Sequence, residues 1–600
     1  MQNLNILPSR DEIDEKYKWK LDHIYESEKD WENDYDKIDN LLNDVTKYRG
    51  KLKEDSKNIF NCLNNYVKLL TVVDKIFVYS RMKKDEDNSK SKYQSLTSKS
   101  MTLITKVSSE ISFINPEITN INKDKIFNDM ETIEGFKLYK HFISEIFRQK
   151  EHCLSEKEEI ILAMGLEVST TSGNVFSMLN NVDIKFPKIK DENGNMVELT
   201  KGRYIKFLES NDQRVRKDAF VNLYSSYSSY KNTLATLLIS NVKKNLYHSK
   251  VRNYDSSLKS SLDQDNIDIS VYNNLIETVS ANLPVFHKYL EIKRKMLGLN
   301  KLNLYDLFAP ISTSKRSNIR YEEALEIIEN SLGVLGDEYI NNLKKGFNSG
   351  WIDVYETKDK TSGAYSWGAY STHPYVLLNY QGSLNDISTI AHEMGHALHS
   401  YYTNETQPYI YSEYKIFVAE VASTVNESIL IKHLINNTKD LNEKKYLLNH
   451  YLEEFRGTLF RQTMFAEFEK IIHENVESGN QLTLESINEI YYNLNIKYFG
   501  KAVNINKEIE LEWSRIPHFY SSFYVYKYAT GFSAATAIAK NIVEGKENST
   551  SDYINFLKSG DSDYPIELLK KTGVDLTTPE PIQNTMDIFK NLVDEFEKLI

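Results

Sequence analysis

Apolar residues recur at helical spacing over most of the chain. From about residue 10 to 180 they lie three and four positions apart, as in 59–78 and 156–166, with little Gly or Pro. The same spacing continues over 204–299 and 321–347. Five later segments are also predicted as helices: 383–400, 417–436, 444–478, 483–498 and 519–544. The pattern therefore predicts a mainly α protein.

A hairpin interrupts the helical pattern near residue 190. Two apolar-alternating runs in 183–200 flank Asn193 and Gly194, a dipeptide favoured in tight hairpin turns. A chain of 600 residues also exceeds what one hydrophobic core usually supports. We therefore predict a helical N-terminal domain over 1–190 and a second domain over 191–600.

A second interruption lies just before the helix predicted at 383–400. β-branched and aromatic residues, with scattered Gly and Pro, break the helical spacing over 350–380 and predict a small sheet. Further upstream, Pro310 and the polar residues after it predict a loop at 309–318. The second domain is thus expected to be mainly helical, with one small β element beside the helix at 383–400.

That helix carries an H-E-x-x-H sequence at residues 392–396. His392 and His396 are about one helical turn apart, so both imidazoles can reach one ion. Glu393 projects about 100° away from His392, which leaves its carboxylate available for the attacking water. We predict one Zn²⁺ per chain with Glu393 as general base. Two histidines that fall together by chance are the alternative, and the helical setting argues against it.

The next predicted helix supplies further candidate ligands. Glu420 and Glu427 are seven residues apart, hence on one face, among mainly apolar or small residues. A catalytic zinc site needs a third protein ligand, and a histidine ligand needs an acceptor for its second ring nitrogen. We predict Glu420 as the third ligand and Glu427 as that acceptor. An ordinary solvated helix face is the alternative.

Two features of the H-E-x-x-H helix concern its start and its packing. Ser383 and Asp386 have the spacing of a capping box at the helix start. Gly395 costs about 1 kcal/mol inside a helix, which indicates that another backbone or a substrate packs closely there.

His373 and His399 are interpreted as structural residues.

Aromatic residues near the end of the chain are candidates for stabilising an oxyanion. The segment IPHFYSSFYVYKYATGFSAA contains His518, Tyr524, Tyr526 and Tyr528. A Tyr hydroxyl or a His N–H can stabilise the oxyanion of a tetrahedral intermediate. Tyr524 and Tyr528 share one helix face at i, i+4. The alternative is an aromatic stripe that packs in the core.

Composition narrows the possible partners and location. The formal net charge of −11 and a pI near 5.8 disfavour a nucleic-acid partner. Cys62 and Cys153 are too few for a disulfide framework, which is typical of a reducing compartment. The first residues lack the pattern of a secretory signal, and no stretch approaches the roughly 20 apolar residues of a membrane span. We expect a cytoplasmic protein without a membrane partner.

Three segments carry a family resemblance. They are GAYSWGAYSTHPYVLLNYQGSLNDISTIAHEMGHALHS, FVAEVASTVNES and IPHFYSSFYVYKYATGFSAA, with weaker support from EKYKWKLDHIYESEKDWENDY near the start. In these the chain resembles the oligoendopeptidase F group of the thimet oligopeptidase family of zinc peptidases, essentially from end to end. The resemblance implies a mainly helical, two-lobed, zincin-type body with a deep substrate channel. It also implies zinc bound by His392, His396 and Glu420, with Glu393 as general base.

The resemblance further implies an oxyanion role for the downstream His/Tyr group. Within it we favour His518 and Tyr528, with Tyr524 next, and the choice among Tyr524, Tyr526 and Tyr528 stays open.

The predicted function is a zinc-dependent metalloendopeptidase that hydrolyses internal bonds of short peptides. The strand-like residues Gly363, Ala364 and Tyr365 are expected to bind the substrate backbone by strand addition. Two other classes remain. An H-E-x-x-H aminopeptidase or other zinc hydrolase would need a site for a free α-amino group, and a non-enzymatic helical scaffold would carry the motif by chance. The oligomeric state is left open, a monomer included.

Overall fold

The computed structural model describes residues 7–312 and 318–600, so residues 313–317 of the predicted loop at 309–318 lie outside the described chain. Helices dominate both described stretches, and the mainly α class is confirmed. In chain order the helices are α1 (Glu28–Thr46), α2 (Ser56–Glu86), α3 (Ser91–Ile111), α4 (Ile114–Thr119), α5 (Lys123–Thr132), α6 (Lys140–Arg148), α7 (Glu156–Ser169), α8 (Thr171–Met178), α9 (Lys201–Leu208), α10 (Gln213–Ser228), α11 (Lys231–Val251), α12 (Ser257–Asp263), α13 (Ile269–Ala281), α14 (Leu283–Met296), α15 (Tyr321–Leu332), α16 (Asp337–Asn348), α17 (Leu384–Thr406), α18 (Ile416–Asn437), α19 (Leu441–Glu454), α20 (Arg461–Glu477), α21 (Leu484–Phe499), α22 (Tyr526–Val543), α23 (Ser549–Leu557), α24 (Pro565–Lys570) and α25 (Glu580–Glu597). Within the described stretches, no helix combines the length and the apolar character that crossing a bilayer requires.

The strands are short and form small sheets. In chain order they are β1 (Lys188–Lys190), β2 (Met196–Glu198), β3 (Leu302–Asn303), β4 (Ile352–Asp353), β5 (Tyr365–Trp367), β6 (Tyr375–Leu377) and β7 (Val503–Asn504). β1 and β2 form an antiparallel hairpin in which Ile189 pairs with Val197. β3 pairs in parallel with β7, and the third sheet has the order β4–β6–β5, with β4 parallel and β5 antiparallel to β6. The predicted hairpin and the small sheet before residue 383 are both confirmed.

Contacts between residues divide the chain into two compact units, each built from separate stretches of sequence. The first comprises the described residues of 1–151, 316–430 and 538–573, and the second comprises those of 152–315, 431–537 and 574–600. The boundary expected at 190/191 falls within a stretch of the second unit, and the division of the chain into domains there stays a prediction.

Helices α1 to α6 supply much of the core of the first unit. Trp31 and Tyr139 are almost fully buried in it, and Tyr375 and Leu377 of β6 belong to the same cluster. The indole N–H of Trp31 donates to the carbonyl oxygen of Ile76 at 2.9 Å, so its polar atom is paired inside the core. The N-terminal helices thereby support the sheet that precedes α17.

A buried carboxylate anchors part of the second unit. Glu512, in the 3₁₀ helix Lys507–Arg515, accepts hydrogen bonds from Arg461 and Arg515, both at 2.8 Å. The hydroxyl of Tyr491 donates to the other carboxylate oxygen at 2.7 Å. Burial alone raises the pKa of Glu512, but the two guanidinium groups lower it to about 2. These hydrogen bonds therefore hold in place the 3₁₀ helix that ends just before His518.

Helix α17 begins at a capping box and packs against several elements of the first unit. The N–H of Asp386 donates to the Ser383 hydroxyl at 3.2 Å, and the N–H of Ser383 donates to the Asp386 carboxylate at 2.7 Å, so the predicted helix start is confirmed. β5, β6, α15, α16 and α23 all contact α17. Thr403 also donates its hydroxyl hydrogen to the carbonyl oxygen of Leu557 in α23 at 2.9 Å.

Helices α17 and α18 meet backbone to backbone at Gly395. A Cβ atom at this position would lie 2.6 Å from the Cα of Ser423 and 2.8 Å from the carbonyl oxygen of Ala422. The Asn426 amide donates to the carbonyl oxygen of Ala391 at 2.9 Å and ties the same two helices together. The close packing expected at Gly395 is confirmed, and its partner is the backbone of α18.

The helix predicted over 519–544 begins only at Tyr526. A short 3₁₀ turn, Pro517–Tyr520, precedes it. Phe523 has φ of +59°, and its N–H donates to the Glu469 carboxylate, so a regular α-helix cannot run through this position. The predicted start was therefore wrong by several residues.

The helix predicted over 444–478 consists of α19 and α20, joined by a π-helical turn at Phe455–Phe460. Phe455 and Leu459 are fully buried in that turn. Because the apolar stripe continues through the wider turn, apolar spacing alone does not locate it.

Replacing Gly395 with Ala should destabilise the protein, because the added methyl group collides with the backbone of α18 rather than with a movable side chain. We expect a loss of about 1–3 kcal/mol and a lower midpoint of thermal unfolding by calorimetry. Gly202→Ala is the matched control, since a Cβ at this helical glycine meets nothing within 4 Å. A Gly395→Ala protein as stable as the wild type would contradict the close contact.

Candidate metal centre

Three ligand-type atoms converge between α17 and α18 in the first unit. The Nε2 atoms of His392 and His396 lie 3.2 Å apart, and each lies 3.4 Å from Oε2 of Glu420. Helical spacing brings the two imidazoles together, and the contact at Gly395 brings the carboxylate to them. Among the described residues, this is the group of His, Cys, Asp and Glu side chains whose geometry suits a metal ion.

The separations of these atoms match a tetrahedral zinc site. Nitrogen and oxygen ligands lie about 2.0–2.2 Å from zinc, so two of them at the tetrahedral angle are about 3.3–3.5 Å apart. The measured separations of 3.2 and 3.4 Å agree with this within about 0.1 Å. Two imidazoles and one carboxylate are also a donor set that catalytic zinc sites use, with a fourth position left for water.

Glu427 orients the first of the two histidines. Its Oε2 lies 3.1 Å from Nδ1 of His392, on the opposite side of the ring from Nε2. Burial by itself lowers the pKa of His392, but the hydrogen bond and charge of Glu427 and the nearby carboxylates raise it to about 9. A carboxylate that accepts from Nδ1–H leaves the Nε2 lone pair free for an ion.

The carboxylate of Glu420 is held in its ionised form. Burial raises its pKa, but the neighbouring imidazoles, His396 foremost, lower it to about 2. The Ser423 hydroxyl, one turn along α18, also donates to Oε2 of Glu420 at 3.1 Å. Glu420 therefore presents a negative charge to the two histidines over the whole physiological pH range.

Glu393 follows His392 on α17 but does not belong to this group of converging ligand atoms. Its side chain is buried, with an exposed fraction of 7% for the residue. Burial raises the pKa of the Glu393 carboxyl, and the two histidines partly offset the effect. A carboxylate with a raised pKa next to candidate ligands is suited to accepting a proton near neutral pH.

Sequence reasoning did not single out two polar residues of α18 that support the site. Ser423 donates to Glu420, and Asn426 joins α18 to α17 while accepting from the hydroxyl of Tyr339 at 2.7 Å. Both are fully buried. A signal existed in the sequence, because Glu420, Ser423 and Asn426 recur every three residues and so lie near one another on the surface of the helix.

His399 and His373 occupy structural positions. His399 is buried and stacks on Tyr414 with ring centroids 3.8 Å apart, and burial lowers its pKa to about 3. His373 stacks on Trp351 and lies 2.8 Å from a ring nitrogen of His23.

The second unit brings together three residues of the predicted oxyanion group. Nε2 of His518 lies 3.5 Å from the hydroxyl oxygen of Tyr528, and the rings of Tyr524 and Tyr528 meet edge to face at 5.4 Å. Burial lowers the pKa of His518, which favours the neutral imidazole. Tyr526 instead packs in the core, with its ring centroid 5.0 Å from that of Tyr272.

Residues 363–365 lie at an edge of the three-stranded sheet in the first unit. Tyr365 begins β5, which pairs on one side with β6 among the described residues. Gly363 and Ala364 precede the strand, and the carbonyl oxygen of Gly363 accepts from the Asn379 amide at 2.7 Å. The hydroxyl of Tyr365 donates to the Asp85 carboxylate at 3.0 Å, so this side chain is held by the N-terminal helices.

Two family profiles match the chain. The profile described as Peptidase family M3 matches residues 206–588, and the profile described as Oligopeptidase F matches residues 117–186. The first covers more than half of the chain and includes every residue of the candidate site.

Full-length relatives agree with the profiles. Oligopeptidase PepF of Bacillus subtilis (strain 168) is 45% identical over 596 residues, which cover 99% of this chain and 89% of the relative. An oligoendopeptidase F homolog of Lactococcus lactis subsp. lactis (strain IL1403) is 40% identical over 99% of this chain and 98% of its own length.

Solved structures give the same result. A crystal structure from Chlamydophila abortus superposes with a TM-score of 0.92 at 35% identity, covering 99% of this chain and 100% of that one. The crystal structure of oligoendopeptidase-F from Enterococcus faecium has a TM-score of 0.75 at 36% identity, covering 95% and 99%. These matches confirm the resemblance seen in the sequence, and the chain belongs to peptidase family M3.

Proposed function

We propose that the chain is a zinc-dependent oligoendopeptidase in which His392, His396 and Glu420 hold the ion and Glu393 is the general base. The chain is an M3 metallopeptidase, which implies a metal cofactor and peptide substrates. The observation that carries the residue assignment is the convergence of the two Nε2 atoms and the Glu420 oxygen at 3.2–3.4 Å. Zinc is the ion proposed because of this donor set and its spacing.

The residues of the site divide the work of peptide hydrolysis. When bound, a zinc ion lowers the pKa of a coordinated water to about 7 and polarises the scissile carbonyl group. Glu393 accepts the proton of the attacking water at its carboxylate and then delivers it to the leaving amine. Glu427 keeps His392 in the tautomer whose Nε2 carries the lone pair.

The downstream cluster is proposed to stabilise the negative charge that develops on the substrate oxygen. The hydroxyl of Tyr528 and the ring N–H of His518 are the donors, with Tyr524 as the second tyrosine. Their mutual contacts support one acting group rather than three separate residues.

The edge of β5 is the proposed place of the substrate backbone. Backbone pairing at Gly363, Ala364 and Tyr365 gives affinity with little dependence on substrate side chains. Such backbone pairing suits an enzyme that cleaves short peptides of varied sequence. A cytoplasmic location remains a prediction of the sequence, as does the oligomeric state.

Glu393→Gln should keep the metal and lose about 10²–10⁴-fold in kcat, because the amide cannot accept the proton. The measurement is cleavage of an internally quenched short peptide that is blocked at its N-terminus. Wild-type cleavage of the blocked peptide, abolished by a chelator and restored by Zn²⁺, also separates an endopeptidase from an aminopeptidase. A Glu393→Gln enzyme with wild-type kcat would reject the role of Glu393.

Glu420→Ala should abolish stoichiometric zinc binding, because two imidazoles alone do not complete the site. Glu427→Gln should instead keep binding but weaken zinc affinity by about 10–100-fold, since it changes only the acceptor for His392. Metal content by atomic emission, and affinity by competition with a chromogenic chelator, distinguish the two. Undiminished zinc in Glu420→Ala would remove Glu420 from the ligand set.

Tyr528→Phe should lower kcat by about 10²-fold with little change in KM, as expected for a donor that acts in the transition state. Tyr520→Phe is the control, because Tyr520 stacks on Phe176 outside the His518–Tyr528 contact. Steady-state kinetics on the same blocked peptide give both constants. An unchanged kcat in Tyr528→Phe would place the oxyanion role elsewhere.

A further inference from the structure

The backbone between His518 and Tyr524 has an unusual conformation. After the 3₁₀ turn Pro517–Tyr520, the chain runs through Ser521, Ser522 and Phe523 before α22 begins. Phe523 adopts a left-handed conformation with φ of +59°. A non-glycine residue in this region is strained, and such strain persists only where the surroundings hold the backbone in place.

Three side chains, from helices α11 and α20, form hydrogen bonds with residues 519–523. Glu469 of α20 accepts the N–H of Phe523 at 3.0 Å. The amide of Asn241, in α11, donates to the carbonyl oxygen of Phe519 at 2.9 Å and to the Ser522 hydroxyl at 3.2 Å. The amide of Asn245, one turn further along α11, donates to the same hydroxyl at 2.7 Å.

The holding residues are themselves fixed. Glu469 and Asn241 are each 1% exposed. His473, one turn after Glu469, lies 3.1 Å from the Asn245 amide nitrogen and packs its ring 4.5 Å from that of Phe523. These hydrogen bonds and the Phe523 ring contact restrain the backbone from two helices at once, although Oε2 of Glu469 is buried without a hydrogen-bond partner.

We propose that Glu469 is a positioning residue for the reaction, which holds the strained Phe523 so that His518, Tyr524 and Tyr528 share one arrangement. The proposal rests on the oxyanion role of that cluster given above. Tyr524 follows Phe523 directly, and Tyr528 lies four residues further on, in the first turn of α22. A change of φ at Phe523 therefore moves both tyrosines relative to His518. Catalytic groups displaced by about 1 Å lose on the order of 10²-fold in rate.

The carboxyl of Glu469 acts here as a neutral acceptor. Burial raises its pKa to about 8, although the Phe523 N–H opposes the shift, so the group is mainly protonated at pH 7. The titratable groups that face it are Tyr272 of α13 and the neutral His473, whose pKa burial lowers to about 4, with Lys244 of α11 behind it. Gln at position 469 therefore matches the protonated carboxyl group in shape and charge, whereas Leu fills most of the space with an apolar group and removes the acceptor.

The test compares Glu469→Gln with Glu469→Leu. We expect Glu469→Gln to keep kcat within about 2-fold of the wild type, because the amide oxygen accepts the Phe523 N–H. Glu469→Leu should lower kcat by about 10–10²-fold with KM changed less than about 3-fold and zinc content unchanged. Glu474→Gln, at an exposed Glu on the same helix, is the control and should resemble the wild type. A folded Glu469→Leu enzyme with wild-type kcat would overturn the proposal.

A double variant separates this proposal from the proposed oxyanion role. If Glu469 acts through the cluster, Glu469→Leu should lower kcat much less in a Tyr528→Phe background than in the wild type. Full additivity of the two losses would show that Glu469 acts by another route. An unchanged kcat in Tyr528→Phe alone would instead reject the oxyanion role of Tyr528.

Asn245→Ala provides the test if Glu469→Leu does not fold. It removes one donor to Ser522 and leaves the buried carboxyl in place. We expect a loss of about 3–10-fold in kcat at unchanged KM. Wild-type kcat in a folded Asn245→Ala protein, confirmed by its circular dichroism and unfolding midpoint, would contradict a positioning role for this network.

Discussion

The backbone contact between α17 and α18 at Gly395 determines the geometry of the candidate metal centre. Glu420 of α18 reaches the imidazoles of α17 because no side chain separates the backbones of the two helices at residue 395. One helical turn away, the hydrogen bond from Asn426 to the carbonyl oxygen of Ala391 fixes the rotation of α18, so that Glu420 and Glu427 both face His392. A one-residue rotation of α18 would turn both carboxylates away by about 100°.

The charges of the site follow from this packing. Three carboxylates and two imidazoles are gathered in a partly buried volume, where unpaired negative charge is costly. The two imidazoles offset part of this cost. Their mutual attraction with the carboxylates raises the pKa of His392 and lowers that of Glu420. A divalent cation and protons therefore compete for the same positions, so acidification should release metal from such a site. Glu393, whose pKa burial raises, is the carboxyl group of the site that is suited to exchanging a proton near neutral pH.

The sequence indicated which ligand-type residues converge here, because the signals that point to them are periodic and local. H-E-x-x-H, the Ser383–Asp386 cap and the carboxylates at seven-residue spacing all depend on helix geometry, which the structure confirms for α17 and α18. The sequence did not predict the break before Tyr526, because the left-handed Phe523 is stabilised by Glu469, which lies 54 positions away along the chain. It also did not show that residues far apart in sequence form each compact unit, since an apolar stripe indicates that a face is buried but not what covers it.

The discontinuous make-up of the first unit bears on how the protein acquires its activity during synthesis. Helix α17 carries both histidines, yet it packs against α23, and Thr403 binds the carbonyl oxygen of Leu557. A nascent chain that has exposed only residues up to 430 thus lacks the stretch 538–573 that completes this unit. Contacts between such distant stretches form late and slowly. The ligands of the proposed metal site are therefore made long before their surroundings are complete, and the growing polypeptide is expected to remain inactive as a peptidase until synthesis is almost finished.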